Sequence, residues 1–114
     1  MASCVDLPSP YRAMWLVAFF DLPVMDKQQR RLYTRFRKVL LKGGFSQLQL
    51  SVYARYCSSE DAAEVHRKRI QMALPPEGEV RLLRVTSKQF GKMDVFFGKL
   101  RSKPEQKPDQ LVLF

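Results

Sequence analysis

Seven consecutive apolar residues, at positions 14–20, constrain the fold of this chain more than any other stretch. The run is ended by Asp21 and followed by Pro23, which predicts a strand over about residues 12–20 that is buried on both faces. A carboxylate is costly to bury, so Asp21 is expected where the strand leaves the core. An acid held at the end of a rigid strand suits a binding or catalytic site. The alternative is a turn residue that accepts hydrogen bonds from the local backbone.

The charge of the chain is strongly positive, since 20 Lys and Arg against 11 Asp and Glu give a formal net charge of +9. Such a field favours polyanions, nucleic acid before an anionic membrane. No apolar run approaches the roughly 20 residues of a spanning helix, and no signal peptide is evident at the start. Cys4 and Cys57 are far apart and there is one histidine. A zinc site is therefore disfavoured, and a reduced, cytoplasmic protein without a membrane partner is expected.

The first helix is the best-marked element after the apolar run. A loose arm over residues 1–10 precedes the first strand. A helix over Lys27–Lys42 then follows, with Asp26 as the N-cap and Gln29 completing a capping box. Gly43 and its neighbour predict the end of this helix.

The next stretch, residues 45–56, alternates polar and apolar side chains as a half-buried strand does. It is long for one strand, so a turn near residues 47–49 is expected to divide it in two. A second helix begins near Ser59 and ends before Pro75. His66 lies on its thin apolar stripe and is interpreted as a packing residue rather than a ligand or base, since no second ligand type accompanies it.

The last part of the chain predicts a strand over residues 79–85 and then a short helical turn capped by Thr86. Residues 93–97 predict a further strand. Residues 101–110 contain two prolines and several charges, as extended linkers do. The apolar end at residues 111–114 is expected to join a sheet edge, in this chain or another.

Two strand–helix–strand halves predict an α+β, ferredoxin-like βαββαβ domain over residues 11–98, followed by a linker and C-terminal strand over residues 99–114. Two helices on one face of a four-stranded sheet leave the other face bare. The extra C-terminal strands also have no place in the four-stranded core. A homodimer with sheets packed face to face and strands exchanged across a twofold axis answers both problems.

The first helix carries seven cations and no anion, whereas a solvated helix usually interleaves the two signs. These cations are Lys27, Arg30, Arg31, Arg35, Arg37, Lys38 and Lys42. A polyanion-binding face is the first interpretation, and simple solubilisation is the alternative.

The chain resembles a known family, the small CRISPR-associated adaptation protein that is the non-integrase partner of the spacer-acquisition complex. The resemblance covers about residues 13–97, and the closing residues 111–114 look like the terminal strand of its type II members. Each motif is weak alone, but their order and spacing are fairly specific. The motifs are FDLP at 20–23, FRKVLL at 36–41, GF at 44–45, QLSVY at 49–53, Gly78, VT at 85–86 and KQF at 88–90.

The resemblance implies a homodimer in which Asp21 faces its symmetry mate, and the two carboxylates hold Mg²⁺ or Mn²⁺ for phosphodiester hydrolysis. Asp21 is then both the catalytic and the metal-binding residue. Two carboxylates form a hard oxygen site that suits Mg²⁺, and the metal would polarise a phosphoryl oxygen and activate water. No second acid is obvious, because Asp26 is expected to be a cap, so weak turnover is expected.

The resemblance also implies a bridging role in CRISPR spacer acquisition. The dimer would lie between two dimers of the CRISPR integrase, in a heterohexameric adaptation complex, and support double-stranded DNA. Members of the family differ in whether nuclease activity is detectable, so the scaffold role is expected before the enzymatic one. Five cations of the first helix are the expected phosphate contacts, which position a duplex without reading its sequence. They are Lys27, Arg30, Arg31, Arg37 and Lys38.

Two other functions compete with this one. The first is a stand-alone, toxin-like, metal-dependent endoribonuclease with the same fold. The second is an RNA-recognition module, which would need stacking aromatic residues in one run on a central strand. Phe19, Phe20, Tyr53 and Tyr56 do not form such a run, so this alternative ranks last.

Overall fold

The apolar run forms the central strand of a four-stranded antiparallel sheet in a computed structural model that describes residues 12–98. The elements in chain order are β1 (Met14–Asp21), α1 (Lys27–Lys42), β2 (Ser46–Gln49), β3 (Val52–Cys57), α2 (Glu60–Met72), β4 (Glu79–Thr86) and α3 (Ser87–Gly91). The sheet order is β2-β3-β1-β4, and β1 pairs antiparallel with both β3 and β4. This is the predicted ferredoxin-like arrangement. Residues 1–11 and 99–114 lie outside the described residues, so the arm, the linker and the C-terminal strand stay predictions.

The capping box at the start of α1 is confirmed. An oxygen of the Asp26 carboxylate accepts from the backbone N–H of Gln29 at 2.7 Å, and the Gln29 side-chain oxygen accepts from the N–H of Asp26 at 3.3 Å. At the other end the N–H of Gly43 donates to the carbonyls of Val39 and Leu40. Both ends of α1 therefore lie where the sequence predicts them, because local side-chain and backbone partners satisfy the free helix termini.

The predicted division of residues 45–56 into two strands is confirmed, but the turn lies at residues 50–51, just after the predicted 47–49, where β2 has a bulge between Gln47 and Gln49. Helix α2 begins at the predicted N-cap, where the Ser59 hydroxyl accepts from the N–H of Ala62 at 3.1 Å. It ends at Met72, before the prolines.

One side of the sheet packs against α1 and α2 and forms the core. Its largest fully buried side chains are Tyr53, Phe36, Leu16, Leu40 and Ile70. The alternation of β3 does not separate a buried side from a solvated one, as a half-buried strand would. Tyr53 faces the helices and is fully buried, while Ala54 faces the other way and is 1% exposed. Because β3 is an inner strand, the small Ala54 side chain lies between its register partners Val17 of β1 and Ser46 of β2.

The opposite side of the sheet, here called the open face, carries the odd-numbered residues of β1 and their register partners on β3 and β4. Phe19, Tyr56 and Leu83 on this face are 38%, 48% and 50% exposed. Helix α3 covers one end, where the rings of Phe90 and Trp15 stack with centroids 4.0 Å apart. Between α3 and a charged end formed by Asp21, Glu79 and Arg81, the face is apolar and no helix of the described chain covers it, as predicted for a two-layer fold with both helices on one side.

The strand predicted over residues 93–97 is absent from the described structure. Residues 93–98 follow α3 without regular secondary structure, and the Val95 and Phe96 side chains are 63% and 87% exposed. A strand needs another strand to satisfy its amides and carbonyls. Within residues 12–98 no strand pairs with this segment.

Gly78 fixes the point where β1 leaves the sheet. Its φ is +99°, and a Cβ placed there would lie 2.6 Å from Cδ2 of Leu22 and 2.9 Å from the carbonyl oxygen of Asp21. Only glycine meets both demands, because other residues adopt this backbone region at a cost. The turn before β4 therefore holds the end of β1 in position.

We expect Gly78→Ala to lower the free energy of unfolding by about 1–3 kcal/mol, the usual cost of such backbone strain. Urea denaturation measures this change. Gly91→Ala is the matched control, since a Cβ there meets nothing within 4 Å, and it should change stability by less than about 0.5 kcal/mol. Equal stability of the two variants would show that the close approach at Gly78 is not a constraint.

Candidate metal site and nucleic-acid interface

Asp21 lies where the sequence predicts it, at the exposed end of β1 on the open face. Its backbone is fixed by the neighbouring strands, since the N–H of Phe20 donates to the carbonyl of Ser51 at 3.1 Å and Gly78 closes over the Asp21 carbonyl. In the part of the chain that the structure describes, no amide donates to the Asp21 carboxylate. This geometry therefore does not support the alternative, in which Asp21 is a turn residue that accepts hydrogen bonds from the local backbone.

Glu79 is the neighbour that sequence reasoning missed. It is the register partner of Asp21 across β1 and β4, so both side chains lie on the open face. The Glu79 carboxylate already accepts from Arg81, with 3.0 Å between the two atoms of the ion pair. Strand register decides this proximity, and the sequence alone did not give the register.

One chain does not by itself supply a full set of metal ligands. Among residues 12–98 no group of three or more His, Cys, Asp or Glu side chains could hold a metal ion. The donor type of Asp21 suits a hard cation such as Mg²⁺. A complete site would need donors from a second copy, as the resemblance implies.

The structure divides the cations of α1 into two rows. Six of the seven are exposed, and five of these six share the side of the helix opposite the buried face, here called the outward row: Lys27, Arg31, Arg35, Lys38 and Lys42. Arg30 and Arg37 lie along the border of the buried face, because seven residues advance a helix by nearly two turns. Here this border is called the border row.

Both members of the border row are anchored to the protein. A terminal nitrogen of Arg30 donates to the carbonyls of Val24 and Met25 at 3.2 Å each. The Nε of Arg37 donates to the hydroxyl of Tyr53 at 2.7 Å. No signal in the sequence distinguished these two arginines from the other cations of α1.

The cations of α2 and β4 are paired differently. Glu64 on α2 accepts from Arg67 at 2.8 Å and from Arg84 of β4. Hydrogen bonds from Arg67, and then from Arg84, lower the pKa of Glu64 to about 2. This cluster neutralises part of the α2 surface, and helix α1 keeps its charge unpaired by any acid of the described chain.

His66 behaves as the packing residue that was predicted. It is half-buried, and its ring stands edge-on to Phe45 with centroids 6.3 Å apart. Burial, and then the charges of Arg55 and Arg69, lower the pKa of His66. The imidazole is therefore neutral at pH 7.

Known proteins are similar to this chain over most of its length. Residues 14–93 match the family described as "CRISPR associated protein Cas2". A protein of Flavobacterium psychrophilum named "CRISPR-associated endoribonuclease Cas2" is 44% identical over 104 residues, which cover 91% of this chain and 90% of that protein. A protein of Parvibaculum lavamentivorans with the same name is 50% identical over 101 residues, which cover 89% and 100%.

A solved structure titled "Crystal structure of cas2" superposes on 80% of this chain and on 95% of its own chain. The TM-score is 0.54 and the sequence identity is 19%, so the similarity supports the fold. Within residues 12–98, no helix has the length and apolar character needed to cross a bilayer.

Acid should weaken the link between α2 and β4. The folded pKa of Glu64 is about 2, below the ordinary 4.5, so its stabilisation is complete above pH 4.5 and is lost as the pH falls towards 2. We expect Glu64→Gln to flatten the pH dependence of stability in this window, measured by thermal unfolding from pH 6 to pH 2. Glu60→Gln, at the first turn of the same helix, is the control. An unchanged pH dependence in Glu64→Gln would contradict the assignment.

Proposed function

The chain belongs to the CRISPR-associated Cas2 family, and from this premise we propose that it acts in spacer acquisition as a homodimeric scaffold that binds double-stranded DNA. The single observation that carries the proposal is the charge of α1, which has seven cations and no acidic residue. A duplex of phosphates is the natural partner of such a surface. In the proposed assembly the dimer bridges two dimers of the CRISPR integrase.

The open face supports the dimer. Phe19, Tyr56 and Leu83 expose apolar area beside Val17, and exposed apolar patches of this kind mark interaction surfaces. A second copy, related by a twofold axis and packed on the same face, would bury the apolar area of both open faces. Asp21 and its symmetry mate would border that contact, since Asp21 lies at the end of the same face.

Metal-dependent hydrolysis is the finer part of the proposal. Asp21 from each protomer would hold Mg²⁺ or Mn²⁺, and the metal supplies polarisation of a phosphoryl oxygen and activation of water. The protein holds the Asp21 carboxylate at a rigid strand end with its oxygens unbonded by neighbouring amides in the described region. Glu79 beside it is engaged by Arg81, which leaves Asp21 as the principal donor.

A stand-alone endoribonuclease is the second candidate function. Both of the curated relatives described above carry "endoribonuclease" in their names. This candidate needs the Asp21 site for its whole activity, whereas the scaffold needs α1 and the open face. The two functions therefore make opposite predictions for Asp21.

Asp21→Ala should keep the dimer, the duplex affinity and spacer integration with the integrase, and should abolish any metal-dependent cleavage of DNA or RNA. Light scattering, duplex titration and an in vitro integration assay measure these properties. Asp61→Ala, an exposed acid on α2, is the control. Loss of integration in Asp21→Ala, with the dimer and duplex binding intact, would contradict the scaffold role.

Replacing Lys27, Arg31 and Lys38 by glutamine in one triple variant should weaken binding to a short duplex at low salt. The slope of log affinity against log salt should decrease by about 0.9 for each lost phosphate contact. The control neutralises Lys68, Arg69 and Lys88, three exposed cations outside α1, so that the net charge is the same in both variants. Equal affinity of the two triple variants would refute a dedicated α1 surface.

A further inference from the structure

Tyr53 and Arg37 form a polar link between the sheet and α1. Tyr53 is fully buried on β3, and its hydroxyl accepts from Nε of Arg37 at 2.7 Å. Burial raises the pKa of Tyr53, although the neighbouring Arg37 partly offsets that effect. The hydroxyl is therefore protonated at neutral pH and acts as a neutral acceptor for the guanidinium.

The link uses only one of the donor sites of Arg37. Its two terminal nitrogens find no acceptor among residues 12–98, and they are not among the buried polar atoms that lack a partner. Arg37 also has no ion pair with an acid of the described chain. The guanidinium is thus held at Nε while its outer fork remains accessible.

We propose that Tyr53 is a positioning residue for DNA binding, which holds the Arg37 guanidinium so that its two terminal nitrogens bind one backbone phosphate. The proposal rests on the proposed function and deepens it, because it separates one oriented phosphate contact from the general charge of α1. Arginine suits this role, since its planar fork matches two phosphate oxygens.

A purely structural role explains the pair poorly. The buried Tyr53 hydroxyl needs a partner, but a neutral side chain or a backbone group would satisfy it. The guanidinium instead brings a full charge and two accessible terminal nitrogens, which the Tyr53 hydroxyl does not require. A phosphate at the terminal nitrogens would complete the hydrogen bonding of Arg37.

Arg30 extends the same design along the border row. It lies two helical turns before Arg37, about 10 Å along the axis at 1.5 Å per residue. Its own terminal nitrogen is held by the carbonyls of Val24 and Met25. The two arginines of the border row are therefore held in position, whereas the cations of the outward row have no side-chain hydrogen bond or ion pair within residues 12–98. Preset side chains lose less rotational freedom when they bind.

A double-mutant cycle on the full-length protein tests the proposal, with a short fluorescently labelled DNA duplex as the probe. Tyr53→Phe removes only the hydroxyl, and we expect it to weaken duplex binding about two- to tenfold, the cost of ordering one long side chain. Arg37→Ala should weaken binding at least as much and lower the salt slope by about 0.9. In the Arg37→Ala background Tyr53→Phe should have no further effect, because the two changes remove the same contact.

Two further variants separate geometry from charge and from folding. Arg37→Lys keeps the charge but loses the fork, so it should bind the duplex more weakly than wild type. Arg35→Ala removes an exposed cation of the outward row. In that background Tyr53→Phe should weaken duplex binding by the same factor as in the wild-type protein. Thermal unfolding of each variant reports whether the fold is retained, and Arg37→Lys tests the proposal even if Tyr53→Phe unfolds.

Three results would overturn the proposal. Unchanged affinity in Tyr53→Phe, with weaker binding in Arg37→Ala, would mean that Arg37 needs no positioning. An equal loss from Tyr53→Phe with and without Arg37 would mean that Tyr53 acts through stability alone. Wild-type affinity in Arg37→Lys would mean that charge suffices. Absence of duplex binding by the wild-type protein would refute the proposed function itself, which distinguishes that failure from these three.

Discussion

The burial of β1 between two antiparallel neighbours is the constraint on which the other features depend. Its even-numbered residues face the helices, and its odd-numbered residues face the open side, so an uncharged run is required until the strand ends. Gly78 then closes against the carbonyl of Asp21 and the side chain of Leu22. The first charged residue therefore lies at a fixed point, at the boundary between the apolar face and solvent.

The chain also separates its charges by element. Glu64 engages Arg67 and Arg84, which links α2 to β4, and Glu79 engages Arg81. Of the acids in the described chain, Glu64 joins two elements and Asp26 caps α1, while α1 itself contains no acid. This separation leaves the cations of α1 without an acidic partner in the described chain, so they are available to an external anion. The proposed DNA-binding role follows from where the acids are as much as from the number of cations.

Local signals in the sequence predicted most of the fold. The capping box at Asp26, the turn that divides residues 45–56 and the cap at Ser59 are all short-range patterns, and the structure contains each of them. The strand over residues 93–97 was not found, because a strand depends on a partner that a local pattern does not supply.

The candidate site was only partly predictable for the same reason. The position of Asp21 follows from one continuous run of residues. Its proximity to Glu79 follows from strand register, and the link between Arg37 and Tyr53 joins residues that are 16 apart in the sequence. The sequence of α1 groups Arg37 with the other cations of the helix. It does not show that the Arg37 side chain reaches β3, because that contact depends on how the helix packs on the sheet.

The molar mass in solution, measured by light scattering during size-exclusion chromatography, tests the central claim most directly. In the proposed assembly two copies cover each other's open faces, which brings their Asp21 carboxylates and α1 helices into one particle. The account predicts a mass of twice the chain's 13.3 kDa, which persists when the ionic strength is raised because the contact is apolar. A mass of one chain at the same concentrations would contradict it.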